Sequence, residues 1–169
     1  IEVNDPNNIS QCENPDGPTV IDLTQVQDEM LAGLPNQFAY EFYYYPSLDA
    51  FENQEPSIWP PNQYTLGENG DEITVAVIDA SSVCFTIKTF TLEIIENPEV
   101  QELADVEVCG SYLLDDLTVG NYFTGPNGTG DQLNAGDAIT ETTTLYVYAA
   151  NIGTFDPSVE CTDEHQFEV

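Results

Sequence analysis

The chain repeats itself, and that repetition limits what it can become. Cys12 opens a segment running through Val20-Ile21 to Asp22-Leu23-Thr24, and Cys109 opens one running through Tyr112-Leu113-Leu114 to Asp116-Leu117-Thr118. Cys84 precedes the alternating run Phe85-Thr86-Ile87-Lys88-Thr89-Phe90-Thr91-Leu92, and Cys161 precedes the shorter ending Gln166-Phe167-Glu168-Val169. Between each pair lies a run of period two, Glu72–Asp79 in the first half and Thr144–Ala150 in the second. Self-similarity at this scale means that one structural unit is used more than once. Alternation of apolar and polar residues, rich in Val, Ile, Thr and Tyr, means that the unit is built from strands.

The expected fold is therefore all-β, two tandem immunoglobulin-like β-sandwich domains. In the first, strands are expected at Thr19–Leu23, Phe38–Tyr45, Gln63–Leu66, Glu72–Asp79 and Cys84–Ile95, with a short helix over Gln25–Leu31 that Gly33 and Pro35 stop. In the second, they are expected at Asp105–Cys109, Ser111–Leu114, Asn121–Thr124, Ala138–Thr140, Thr143–Ala149 and His165–Val169. Turns fall at Gly125-Pro126-Asn127-Gly128 and Asn134-Ala135-Gly136-Asp137. The stretch from Ile1 to Pro6 parallels Leu92-Glu93-Ile94-Ile95-Glu96-Asn97-Pro98, so residues 1–6 read as the tail strand and linker of a preceding repeat. Domain 1 then covers residues 7–97 and domain 2 residues 98–169, with a Pro-stiffened junction at Asn97-Pro98.

Charge narrows function. There are 31 acidic residues against one Lys (Lys88), no Arg and one His (His165), a formal charge of −30. Such a field repels phosphate backbones and anionic membranes, which argues against nucleic acid as a partner and against insertion of this segment into a membrane. The charge also suits an extracellular setting, where salt or bound Ca²⁺ screens it. A Ca²⁺ site is conceivable at Glu13, Asp16 and Asp22, with Asp5, Asn7 and Asn8 nearby in sequence, although the full acidic spacing of an EF-hand is missing. The competing reading of that segment is a solvated Asx/Gly turn.

The four cysteines, Cys12, Cys84, Cys109 and Cys161, lack the Cys-x-x-Cys spacing of a zinc or redox site. An even number in an acidic β chain points to disulfides and an oxidising compartment. Counting leaves the connectivity open, and the repeat register favours Cys12 with Cys84 and Cys109 with Cys161, one staple per sandwich. Trp59, in Ser57-Ile58-Trp59-Pro60-Pro61, and the run Tyr40 to Tyr45 offer aromatics for a glycan site, or for ordinary core and edge packing. His165 has no nucleophile motif beside it, so the chain is not expected to be an enzyme.

Two groups of segments carry a family resemblance. Phe42-Tyr43-Tyr44-Tyr45-Pro46-Ser47-Leu48-Asp49-Ala50 is flanked by the Cys12 segment and by Val83-Cys84-Phe85-Thr86. Val108-Cys109-Gly110-Ser111-Tyr112, Asn121-Tyr122-Phe123-Thr124-Gly125-Pro126-Asn127-Gly128 and Leu133-Asn134-Ala135-Gly136-Asp137 form the second group. Together they resemble repeats of the very large SprB-type gliding-motility adhesins of Bacteroidota. The resemblance implies type IX secretion, attachment at the cell surface, immunoglobulin-like domains in a filament, and neighbouring repeats or surface polysaccharide and proteins as partners. It brings no catalytic residues. Pro15 and Pro18 depart from the acidic loop of such repeats. A carbohydrate-binding module of a secreted hydrolase, using Trp59, is the alternative.

Overall fold

The computed structural model of the protein describes residues 2–35, 39–66, 71–82 and 84–169. It is mostly β, and it divides into two compact units. One is Ile1–Ile95 together with Gly153–Val159; the other is Glu96–Ile152 together with Glu160–Val169. The division thus falls between Ile95 and Glu96, and a seven-residue loop from the second half of the sequence belongs to the first unit.

The first unit is built on a four-stranded sheet in the order β1 (Ile9–Cys12), β6 (Cys84–Ile95), β5 (Glu72–Asp79), β3 (Tyr40–Tyr45). β5 and β6 occupy the ranges expected from their alternation. Period two sends Ile73, Val75 and Val77 to one face of β5, where they meet Phe90 and Leu92 of β6 and Tyr44 of β3 in the core. Tyr44 is 1% exposed, stands edge-on to Phe90 with ring centroids 6.5 Å apart, and accepts a hydrogen bond from Gln27 Nε2. Burial pushes its phenol up to about 12. The same core takes in Ile21 of the short β2 (Val20–Ile21), paired with β4 (Tyr64–Thr65), and Met30 of α1 (Gln27–Met30). A 3-10 turn over Leu23–Val26 precedes α1, so the expected helix is present in two short pieces.

Residues 2–6 pack on this unit. Val3 is 4% exposed in the core, the Asn4 amide donates to the Met30 carbonyl, and Asp5 pairs with Lys88. Ile1 itself lies outside the described residues, as do Phe38 and Val83. β1, absent from the sequence-based expectation, pairs parallel to β6 with Ile9 opposite Leu92 and Cys12 opposite Ile95.

The second unit has the sheet order β12 (Glu160–Glu168), β11 (Thr144–Ile152), β8 (Asn121–Gly125), β9 (Thr129–Leu133), and a small pair of β10 (Ala138–Ile139) with β7 (Tyr112–Leu113). Leu145 and Val147 of β11, Tyr122 of β8 and Phe167 of β12 form its core with Val100 and Leu114. β8 and β9 turn at Asn127-Gly128, where both residues have positive φ (55° and 65°), as a type I′ hairpin requires. A Cβ on Gly128 would lie 2.8 Å from the Tyr148 ring, so glycine is needed there twice over. Asp105–Cys109, expected as a strand, is not one: it meets β12 through the Val106 amide, which donates to the Glu168 carbonyl, and through Asp105 Oδ1, which accepts the Glu168 amide.

β5 also touches α2 (Leu48–Glu52), whose N-cap Ser47 accepts from the Ala50 amide at 3.1 Å, and Thr74 alternates on β5 with the core residues Ile73 and Val75. It is fully buried, and its hydroxyl has no hydrogen-bond partner among the described residues. An unsatisfied buried hydroxyl costs about 1–3 kcal/mol. Thr74→Val should therefore stabilise the protein by about 1 kcal/mol, read as a higher urea midpoint at unchanged slope; a lower midpoint would show that the hydroxyl is used.

A disulfide and a latched loop as the candidate functional site

Side chains two apart on a strand share a face. On β1 this rule puts Ser10 and Cys12 together, and the parallel register sets Ser10 opposite Glu93. The Ser10 hydroxyl, 5% exposed, donates to Glu93 Oε2 at 2.7 Å. The same carboxylate oxygen accepts the amides of Thr154 at 2.8 Å and Phe155 at 3.3 Å, while Ser10 Oγ accepts the amide of Asp156 at 3.1 Å. Three successive backbone donors of the 153–159 loop thus end on two side chains of the β1–β6 edge.

The loop is also closed on itself. Asp156 Oδ1 accepts from the Ser158 amide and hydroxyl at 2.9 and 2.6 Å, and the Gly153 amide donates to the Val159 carbonyl at 2.9 Å. Gly153 is set so close that a Cβ would lie 2.5 Å from the Asp156 carbonyl oxygen and 2.8 Å from Ser10. Any side chain at that position must push the loop off the strand.

Cys12 and Cys161 are joined as a disulfide, whereas Cys84 and Cys109 are free and exposed. This overturns the pairing of Cys12 with Cys84 and of Cys109 with Cys161. The reason is strand length. Cys12 lies opposite Ile95 at one end of β6, and Cys84 starts the other end of that twelve-residue strand, roughly 36 Å away at the usual rise. A disulfide needs its Cα atoms within about 7 Å. In the second unit, the 105–110 segment lies by Glu168 and Val169, at the far end of β12 from Cys161.

The remaining candidates are not brought together. Asp22 caps the 3-10 turn, accepting from the Thr24 amide and hydroxyl; the Asp16 amide donates to Asn14 Oδ1; the Glu13 amide donates to the Ile95 carbonyl. Among the described residues no three His, Cys, Asp or Glu side chains gather as a metal site. His165 is a β12 residue whose Nε2 meets the Leu103 carbonyl at 2.8 Å. Trp59 is 86% exposed, beside a cis Trp59-Pro60 bond. On the sheet face away from the core, Tyr43, Tyr45, Phe51, Ile78 and Phe85 line a shallow apolar groove. No helix among the described residues is long and apolar enough to cross a membrane.

An all-β chain with a formed disulfide belongs to an oxidising compartment, which defines an extracellular or secreted protein module. Its residues 8–98, more than half of the chain, match the family described as the Flavobacterium inter-domain disulphide bond domain, and the chain belongs to that family. Cys12 lies inside the matched segment and its partner Cys161 outside it. No curated protein matches the chain.

The Glu93 carboxyl is held below the ordinary glutamate range: burial alone would raise it, and the donors Ser10, Thr154 and Phe155 outweigh that. A depressed folded-state pKa contributes stability that is present above the unfolded value and lost as pH falls through the folded one. The amides of Thr154, Phe155 and Asp156 should therefore be protected from hydrogen exchange at neutral pH and lose protection below about pH 4. In Glu93→Gln, protection should be weaker at pH 7 and nearly independent of pH. Equal protection factors in the two proteins across this range would remove Glu93 from the latch.

Proposed function

We propose that this chain is a non-catalytic repeat segment of a filamentous, type IX secreted cell-surface adhesin of the SprB type, serving as stalk and adhesive spacer in gliding motility. The observation that carries this reading is the Cys12–Cys161 bond, a covalent tie between the family domain and the sequence that follows it. Outside the cell such a tie resists unfolding and proteolysis, which suits a durable spacer. Two separate β cores within one covalently closed segment suit a spacer built from immunoglobulin-like domains. A net charge of −30 keeps such spacers soluble and discourages edge-to-edge strand pairing. Neighbouring repeats of the same chain and surface polysaccharide or proteins are the partners this role requires.

The test is location on intact cells. Antibody against the purified segment should label unbroken cells, and brief external proteolysis should remove the signal without lysis. Labelling that appears only in lysates or only in the culture medium would end the cell-surface reading.

One observation favours a second reading. An indole 86% exposed, held out by the Trp59-Pro60-Pro61 turn, is a surface on which a sugar ring can stack. If the chain is a carbohydrate-binding module, it should be retained on an insoluble neutral polysaccharide, and Trp59→Ala should reduce retention at least tenfold. Equal retention of the two proteins would exclude Trp59 as the sugar contact.

A further inference from the structure

The position of the disulfide along the chain matters more than its local geometry. Cys12 follows only β1, and Cys161 stands at the start of β12. Of the residues that make the two cores, all but Val3, Ile9 and Phe167 lie between them in sequence. The bond therefore turns residues 12–161 into a covalent ring that contains almost everything packed, with two short arms outside it.

We infer that the Cys12–Cys161 bond is a tension bypass. When the chain is pulled from both ends, load enters through residues 1–12, crosses the sulfur–sulfur bond and leaves through residues 161–169. The ring is not in series with the load. Its two units are held by hydrogen bonds and packing, which part far more readily than a covalent bond, and these are spared because the sulfur–sulfur bond takes the force first. Only the arms can yield. On one side these are the pairing of β1 with β6, the Asp5–Lys88 ion pair and the Asn4 side-chain bonds to the Glu29 and Ala32 carbonyls. On the other it is the pairing of β12 with β11. These are weak contacts that can part and re-form, which makes them an elastic margin around a protected ring. The inference goes beyond the adhesin reading and needs only that the chain be held at both ends.

The consequence is a length. The two arms, residues 1–12 and 161–169, comprise twenty-one residues and span at most about 75 Å when fully extended, whereas the whole chain spans about 590 Å. The rejected pairing of Cys12 with Cys84 and Cys109 with Cys161 would leave residues 1–12, 84–109 and 161–169 free, about 165 Å.

The experiment is single-molecule stretching of the intact chain through handles at its two ends. The oxidised protein should stop lengthening near 75 Å, and the Cys12→Ser/Cys161→Ser double variant should continue to about 590 Å. Final length does not depend on whether the variant was folded before the pull, so a misfolded variant still gives the answer. An oxidised protein that reaches about 165 Å or the full length, or a double variant that stops where the oxidised protein stops, would overturn the bypass. Failure to find the segment on intact cells leaves this result untouched, and a long extension leaves the cell-surface result untouched, so the two proposals fail separately.

Discussion

A disulfide tolerates only a narrow separation of its Cα atoms, so it reports on everything that must be in place before it can close. The Cys12–Cys161 bond requires β1 laid along β6 in the register that sets Cys12 opposite Ile95. It also requires the β11–β12 hairpin, in which Cys161 faces Asn151. The period-two rule then does the rest. Ser10 is delivered to the same face as Cys12, Glu93 stands opposite Ser10, and the loop that precedes Cys161 ends its amides on those two side chains. In the chain-entropy model, closing a ring of roughly 150 residues stabilises the folded state by about 5 kcal/mol, comparable with the total stability of a small domain.

The acidity of the chain has a use that bulk charge does not reveal. With one Lys, ion pairs are nearly ruled out, and among the described residues one salt bridge forms. The carboxylates accept hydrogen bonds from loop backbone and hydroxyls instead. Asp22, Asp79 and Asp156 each take the amide and hydroxyl of a Ser or Thr two residues on, one local device used three times. Asp79 and Asp156 are held below the ordinary aspartate range by the Ser hydroxyls and amides they accept. Asp163 takes the Val100 amide, and Glu93 takes two amides from a loop some sixty residues away. Carboxylates committed in this way order the loops that carry them.

What could be read from the residues follows the strength of their alternation. β5 and β6 were legible to the residue because Ile73, Val75 and Val77, and then Phe90 and Leu92, alternate with polar neighbours. β9 was not, because Thr129-Gly130-Asp131-Gln132 places almost nothing apolar on either face. β12 was read too short for a related reason: its inward positions Asp163 and His165 are polar, and only Cys161 and Phe167 at its ends are buried. β1 has no signature in the residues, because four residues of mixed polarity carry no period, and its strand character comes from lying beside β6. The cysteine pairing misled because the repeat suggested a staple inside each half, and sequence periodicity carries no information about which end of a twelve-residue strand faces which partner. The latch itself had no sequence signal beyond Asp156-Pro157-Ser158, since Ser10 and Glu93 acquire meaning only from their register.

The first unit is discontinuous, since residues 153–159 belong to it and follow the whole intervening half of the second unit. A chain that emerges vectorially presents residues 9–95 long before it presents that loop and Cys161. Until then Ser10 and Glu93 are solvated and Cys12 remains a thiol, beside the two other thiols that the finished protein keeps. The last hairpin therefore acts as a completion signal: the native closure waits for Cys161, and the β11–β12 pairing favours it by holding that residue in place.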